Sequence, residues 1–143
     1  MLRKALLCLI AVALVISALG CSSDGQSGSA SGKRLSCSGN SLSGGKCKGR
    51  IKKLSGTVTA DIEVSRSAIQ SVDAEVTANV EEGPVRVYLV APDGTETSAE
   101  ARPGSPATVS GPARGHIDEF WVYFEALDDT ASGISFEVSY TYP

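Results

Sequence analysis

Two segments of this chain alternate between apolar and polar residues with a period of two. From Thr57 to Val64, Val58, Ala60, Ile62 and Val64 share one face, while Thr57, Thr59, Asp61 and Glu63 share the other. From Val72 to Glu81, Val72, Ala74, Val76, Ala78 and Val80 oppose Asp73, Glu75, Thr77, Asn79 and Glu81. A helix would scatter these apolar side chains around its circumference. A strand gathers them on one side. Each segment is therefore a half-buried strand, as in an antiparallel sheet with one solvated face.

The remaining segments extend the pattern. Val85 to Ala91 is partly apolar on both faces, with Val87 and Leu89 against Tyr88 and Val90, which predicts a central strand. Pro92-Asp93-Gly94 predicts a turn, because proline presets φ and glycine accepts positive φ. Glu96 to Ala101 and Ala107 to Ser110 read as weaker strands, and Gly111 to Gly115 as a loop. Ser65 to Ser71 reads as a turn of helix or a plain loop. Phe120-Trp121-Val122-Tyr123-Phe124 is dense in β-formers, with Phe120, Val122 and Phe124 expected on the core face. Ile134, Phe136, Val138, Tyr140 and Tyr142 alternate with Ser135, Glu137, Ser139 and Thr141. About seven short strands at near-regular spacing predict an all-β fold, an antiparallel β-sandwich. The apolar strand ending in Pro92-Asp93-Gly94, followed by the late aromatic strands, resembles the jelly-roll-like sandwiches found as accessory domains on secreted bacterial proteins.

The chain opens differently. Arg3 and Lys4 precede an uncharged apolar run of fifteen residues from Ala5 to Leu19. A membrane-spanning helix needs about 20 residues, whereas a short apolar run behind a basic start is the pattern of a secretory signal peptide. Small residues, Ala18 and Gly20, stand at −3 and −1 if cleavage falls before Cys21. Ala18-Leu19-Gly20-Cys21 resembles a bacterial lipobox, with alanine and leucine in the less typical order. The resemblance covers residues 1–21 and implies removal of 1–20, diacylglycerol on the Cys21 thiol, and acyl chains (palmitate among them) that hold the chain at a membrane. An ordinary secretory signal with a chance cysteine is the other reading. Ser22 is not the aspartate that retains such proteins at an inner membrane, so the resemblance favours the outer membrane, facing the periplasm, in a host that has one.

Removing twenty residues from 143 leaves 123, enough for one domain and a tail. Residues 21–32 form a lipidated Ser/Gly tether, a composition that behaves as a flexible coil. Residues 33–53 form a basic loop carrying Lys33, Arg34, Lys46, Lys48, Arg50, Lys52 and Lys53 with no acid. Residues 54–143 form the sandwich, where fifteen acids face only Arg66, Arg86, Arg102 and Arg114. The basic loop either meets an anionic envelope surface or lies as a solvated linker against its own acidic domain. Nucleic acid is a poor partner, since the loop has no aromatic residue to stack on bases and the chain is exported. Cys37 and Cys47, with nine residues between them in an exported chain, predict a disulfide that closes this loop; metal binding or a reactive thiol are the alternatives.

Nothing in the sequence points to an enzyme or a cofactor. The one histidine, His116, stands in a Gly/Pro-rich stretch with no serine or cysteine placed beside it by any motif. Ser43-Gly44-Gly45-Lys46 has Ser-x-x-Lys spacing, but two glycines do not build the helix that spacing needs. Asp93, Asp128 and Asp129 are the carboxylates that could contribute to a calcium site, although no Asp-x-Asp-x-Asp-Gly loop is present. Trp121 and Tyr123 are the candidate ligand-binding pair, being placed opposite the core face of their strand. The expected function is a non-catalytic binding or structural module of the cell envelope, with a protein or glycan partner. The alternative is a carbohydrate- or calcium-binding accessory domain.

Overall fold

The computed structural model describes residues 28–143. The expected signal peptide, Cys21 and residues 22–27 lie outside the described residues. Ten strands follow: β1 (Ser29–Ser31), β2 (Arg34–Asn40), β3 (Gly44–Ser55), β4 (Thr57–Glu63), β5 (Ser71–Asn79), β6 (Val85–Val90), β7 (Glu96–Ala101), β8 (Ala107–His116), β9 (Glu119–Ala126) and β10 (Ala131–Thr141). Every pairing is antiparallel.

The ladder folds into two layers. One sheet runs β8-β5-β10-β3, with β1 and β2 both on the free side of β3. The other runs β4-β9-β6-β7. The layers join where β8 turns into β9, with Gly115 opposite Phe120 and His116 opposite Glu119. Only Ile117 and Asp118 lie between these strands, and Ile117 adopts a φ of 60°, the conformation that short hairpin turns demand. Asp118 and Ile117 turn their carbonyls to the backbone N–H groups of Val64 and Ile69, which ties the 65–70 loop to the hairpin.

The core lies between the layers, and the period-two segments face it as expected. Val72, Ala74, Val76 and Ala78 of β5 are buried, as are Ala60 and Ile62 of β4, with Val58 and Val64 packed against them. Phe120, Val122 and Phe124 point inward from β9. Phe124 meets Phe136 across the layers at 4.6 Å between ring centroids, and Phe120 meets Tyr140 edge-on at 5.2 Å. No charged residue is buried among those described. This is an all-β sandwich, with β6 interior to its sheet as its apolar faces predicted.

Four expectations are corrected. The folded domain does not begin at Leu54, because β3 runs through that boundary and pairs with β10 along its length. The segment expected to be a loop closed mainly by its disulfide is a β-hairpin of β2 and β3. Its turn is held by the Asn40 side chain, which accepts the N–H groups of Leu42 and Ser43. Its scarcity of apolar side chains has a packing cause. A Cβ on Gly49 would stand 2.1 Å from Cζ of Phe136, and one on Gly45 would stand 2.7 Å from the Tyr140 hydroxyl. The aromatic rings of β10 occupy the surface that these glycines leave bare. Residues 111–115 are not a loop but the end of β8. Pro112 is tolerated there because β8 is laddered on one side only, to β5, until Gly115. The last residues of the expected Ser/Gly tether form β1, paired to Lys53–Ser55. Backbone ladder bonds need no apolar side chain, so composition does not announce them.

The disulfide is present. Cys37 and Cys47 are directly opposed in the β2–β3 register, with Cα atoms 4.0 Å apart, so the covalent link joins two residues that the ladder already sets side by side.

Candidate functional site

On the outer face of the β4-β9-β6-β7 sheet, side chains from several strands converge. The alternation that sends Phe120, Val122 and Phe124 inward sends Trp121 and Tyr123 outward. Register then decides their neighbours. Asp61 of β4 stands opposite Trp121, and Thr59 stands opposite Tyr123. On the other side, Tyr88 of β6 stands opposite Tyr123. The rings of Tyr88 and Tyr123 lie stacked, 4.8 Å between centroids and 9° from parallel.

Trp121 is the more accessible ring. It is half-buried, whereas Tyr88 and Tyr123 each keep only 9% of their surface exposed. Arg114 of β8 reaches toward Trp121, its Cζ 6.0 Å from the ring. Thr59, Asp61, Arg114, Trp121 and Tyr123 line a shallow groove of about 280 Å³. Its floor is aromatic and its rim offers a carboxylate, a guanidinium and a hydroxyl, which is the pairing of apolar platform and a few fixed polar groups that orients a small polar ligand.

The far side of the platform is braced. The Arg86 guanidinium lies 4.3 Å from the Tyr88 ring and pairs with Glu96 and, at 3.8 Å, with Glu125. Burial pushes the Tyr88 phenol above its ordinary value, and repulsion from Glu96 pushes it further, so its proton is held firmly at neutral pH.

The other expected residues lie elsewhere. Asp93 sits in its turn and accepts the Thr95 N–H at 2.9 Å, which lowers its carboxyl below the ordinary range. Asp128 and Asp129 are exposed in the turn between β9 and β10. Among the described residues no three His, Cys, Asp or Glu side chains gather in a metal-holding group. His116 is exposed at the end of β8, opposite Glu119. Tyr140 is buried in the core, and Tyr142 donates its hydroxyl to the Asn40 carbonyl at 3.1 Å.

Sequence reasoning missed Asp61, Thr59 and Arg114 as parts of the groove, and Tyr88 as the ring stacked on Tyr123. The one signal for Tyr88 was an aromatic residue on the non-core parity of β6. Asp61 and Thr59 had no local signal, since strand pairing brings them in.

The opposite outer face, on the β8-β5-β10-β3 sheet, carries a wider trough of about 590 Å³. Gly44, Ser139 and Thr141 floor it, with Lys46 on one wall and Asp73 and Glu75 on the other. It has no exposed aromatic platform.

No protein-family model matches the sequence, and no curated protein matches it. Among solved structures, procruciferin, the 11S globulin of Brassica napus, matches at 16% identity and a TM-score of 0.32, over 65% of this chain and 20% of that one. The cycloalternan-forming enzyme from Listeria monocytogenes, in complex with a pentasaccharide substrate, matches at 14% identity and a TM-score of 0.36, over 81% of this chain and 11% of that one. The Clostridium thermocellum xylanase 10B, its CBM22-1 and GH10 modules complexed with xylohexaose, matches at 9% identity and a TM-score of 0.33, over 80% and 25%. This chain thus spans a quarter or less of each of these proteins, and likeness at this level bears on no function.

Proposed function

We propose that this chain is a non-catalytic binding module of the bacterial cell envelope, held at a membrane through lipid on Cys21, and that it takes a carbohydrate on the groove around Trp121. The observation that carries the ligand reading is the groove itself. Trp121 offers a half-exposed ring to the C–H face of a sugar, and Asp61, Thr59 and Arg114 surround it with an acceptor, a hydroxyl and a donor fork suited to sugar hydroxyls. The aromatic floor is rigid, because stacking on Tyr88 holds Tyr123 and little ordering entropy is lost when a ligand arrives. The five lining residues include one carboxylate and no serine, cysteine or histidine, which supports binding over nucleophilic or paired-carboxylate chemistry.

Trp121 is the only tryptophan of the chain, so its fluorescence reports the groove directly. Titration with soluble envelope glycans (peptidoglycan fragments and neutral polysaccharides) is expected to quench or shift that emission. Calorimetry on Trp121→Ala is expected to show at least tenfold weaker binding, with Asp61→Asn weakening it less. Absence of binding to every glycan class, or unchanged affinity in Trp121→Ala, would overturn the carbohydrate reading. Mass spectrometry of protein from its native host tests the anchor separately, and a bare Cys21 thiol would overturn it.

A further inference from the structure

The β2–β3 hairpin carries charge that the fold leaves unpartnered. Lys46, Lys48, Arg50 and Lys52 occupy alternate positions of β3, all exposed, at intervals of about 6.6 Å on one face. Arg34 of β2 stands directly opposite Arg50. Two like charges opposed across a ladder destabilise it, so a hairpin under selection for stability alone has no use for this pair. Among the described residues only Arg86 and Arg102 make ion pairs, which leaves these five cations without a carboxylate within 4 Å. Glu137 of β10 is the nearest acid in register, opposite Lys48. Asp73 and Glu75 stand one strand further, beyond β10. The idea that the basic segment neutralises its own acidic domain thus finds no ion pair to support it.

The tether joins at the same edge. β1 pairs with Lys53–Ser55, the end of the strand that carries the stripe. Cys21 and Gly28 are seven residues apart, so the chain between them reaches at most about 25 Å. A lipid on Cys21 therefore holds Gly28, beside the Lys53–Ser55 end of β3, within about 25 Å of the membrane surface, which lets the basic edge reach the headgroups.

We infer that the exposed face of β2 and β3 docks on the anionic phosphate headgroups of the membrane that holds the lipid, with Arg34, Lys46, Lys48, Arg50 and Lys52 as the contacts. The inference rests on the anchored reading given above for the position of the tether. It assigns an orientation: the domain sits on its β2–β3 edge, and the Trp121 groove, on the outer face of the other sheet, stays open to the envelope. The lipid then supplies the anchor and the basic patch sets which face of the domain meets the membrane.

The test uses the chain from residue 21 onward, which contains every described residue, with Cys21→Ser so that no lipid contributes. Co-sedimentation with vesicles of phosphatidylglycerol and phosphatidylcholine is expected at low salt, with little binding to phosphatidylcholine alone and loss of binding as salt rises. Each contact is expected to be worth about fivefold in affinity, so Arg34→Gln/Lys48→Gln/Arg50→Gln should bind on the order of 100-fold more weakly. Arg102→Gln, away from this edge, should bind as the parent does. Equal binding to neutral vesicles, undiminished binding by the triple variant, or no binding to phosphatidylglycerol would overturn the inference. Binding to soluble polyphosphate without binding to vesicles would also overturn it, in favour of a polymer as the occupant. Glycan titration read from Trp121 and the mass of native Cys21 are independent of these outcomes, so failure here leaves those readings separately decided.

Discussion

Gly49→Ala distinguishes the packing described here from an ordinary strand glycine. Replacing glycine by alanine within a strand normally stabilises by about 0.5–1 kcal/mol, because the unfolded chain loses freedom. The φ of Gly49 is not in the positive region, so no backbone strain opposes the change. Geometry at the site reverses the sign. The new methyl would stand 2.1 Å from Cζ of Phe136 and 2.6 Å from both Cε atoms. Carbon atoms in contact sit about 3.5–4.0 Å apart, so the ring must retreat by roughly 1.5 Å. Phe136 is buried and lies against Phe124, so retreat toward the core is opposed by another ring. Overpacking by one methyl in such a place costs about 1–3 kcal/mol, and after the entropic gain the expected net loss is about 1–2 kcal/mol.

Urea denaturation followed by Trp121 fluorescence measures that loss, and a fall in Tm of roughly 5 °C should accompany it. A second variant isolates the cause. Phe136→Leu removes the ring and costs on the order of 1–2 kcal/mol by itself. In that background Gly49→Ala should be neutral or stabilising, giving a coupling of about 1–3 kcal/mol between the positions. If Gly49→Ala stabilises the parent protein, or costs the same with and without the Phe136 ring, the account of why β3 is so rich in glycine is wrong.

Two further outcomes follow from other parts of the fold. The Cys37–Cys47 bridge closes a span of 10 residues, so its loss in Cys37→Ala/Cys47→Ala, or in the parent under reductant, should cost roughly 2–3 kcal/mol while the far-UV spectrum keeps its β character; an unchanged melting curve under reductant would refute this. Burial raises the Tyr88 and Tyr140 phenols above 10.0, with Glu96 adding to the first and Tyr142 to the second. The folded state therefore holds those protons more tightly than the unfolded state. Their contribution to stability is complete below about pH 10 and is lost as pH rises through the folded values. Urea midpoints measured from pH 9 to 12 should fall less steeply in Tyr88→Phe than in the parent, and identical slopes would contradict the raised value.

Much of the sandwich was legible because its strands bury one face each. β4, β5, β9 and β10 carry their core side chains at alternate positions, and a period of two survives any arrangement of partners. The β2–β3 hairpin hid for the opposite reason. Its inner face holds Gly39, Gly45 and Gly49 beside Leu35 and Cys47, and the apolar surface that covers those glycines belongs to Phe136 and Tyr140 of another strand. Read along the chain, such a segment has the composition of a loop. Read across the ladder, it is a strand whose side chains are supplied by its neighbour. The same logic applies to β1, where backbone pairing alone turns part of a Ser/Gly tether into structure.

The candidate site divides along the same line. Trp121 and Tyr123 could be assigned to the outer face from parity on a single strand, because Phe120, Val122 and Phe124 claim the inner one. What makes that pair a groove is a set of residues from 59 to 114 that sequence distance keeps apart and register brings together: Asp61 against Trp121, Thr59 and Tyr88 against Tyr123, and Arg114 arriving from the strand that bridges the layers. Parity can be read within one strand, but pairing is a property of two. A single sequence therefore exposes the aromatic half of this site and conceals the polar half, and the polar half is what separates a ligand groove from an exposed aromatic patch.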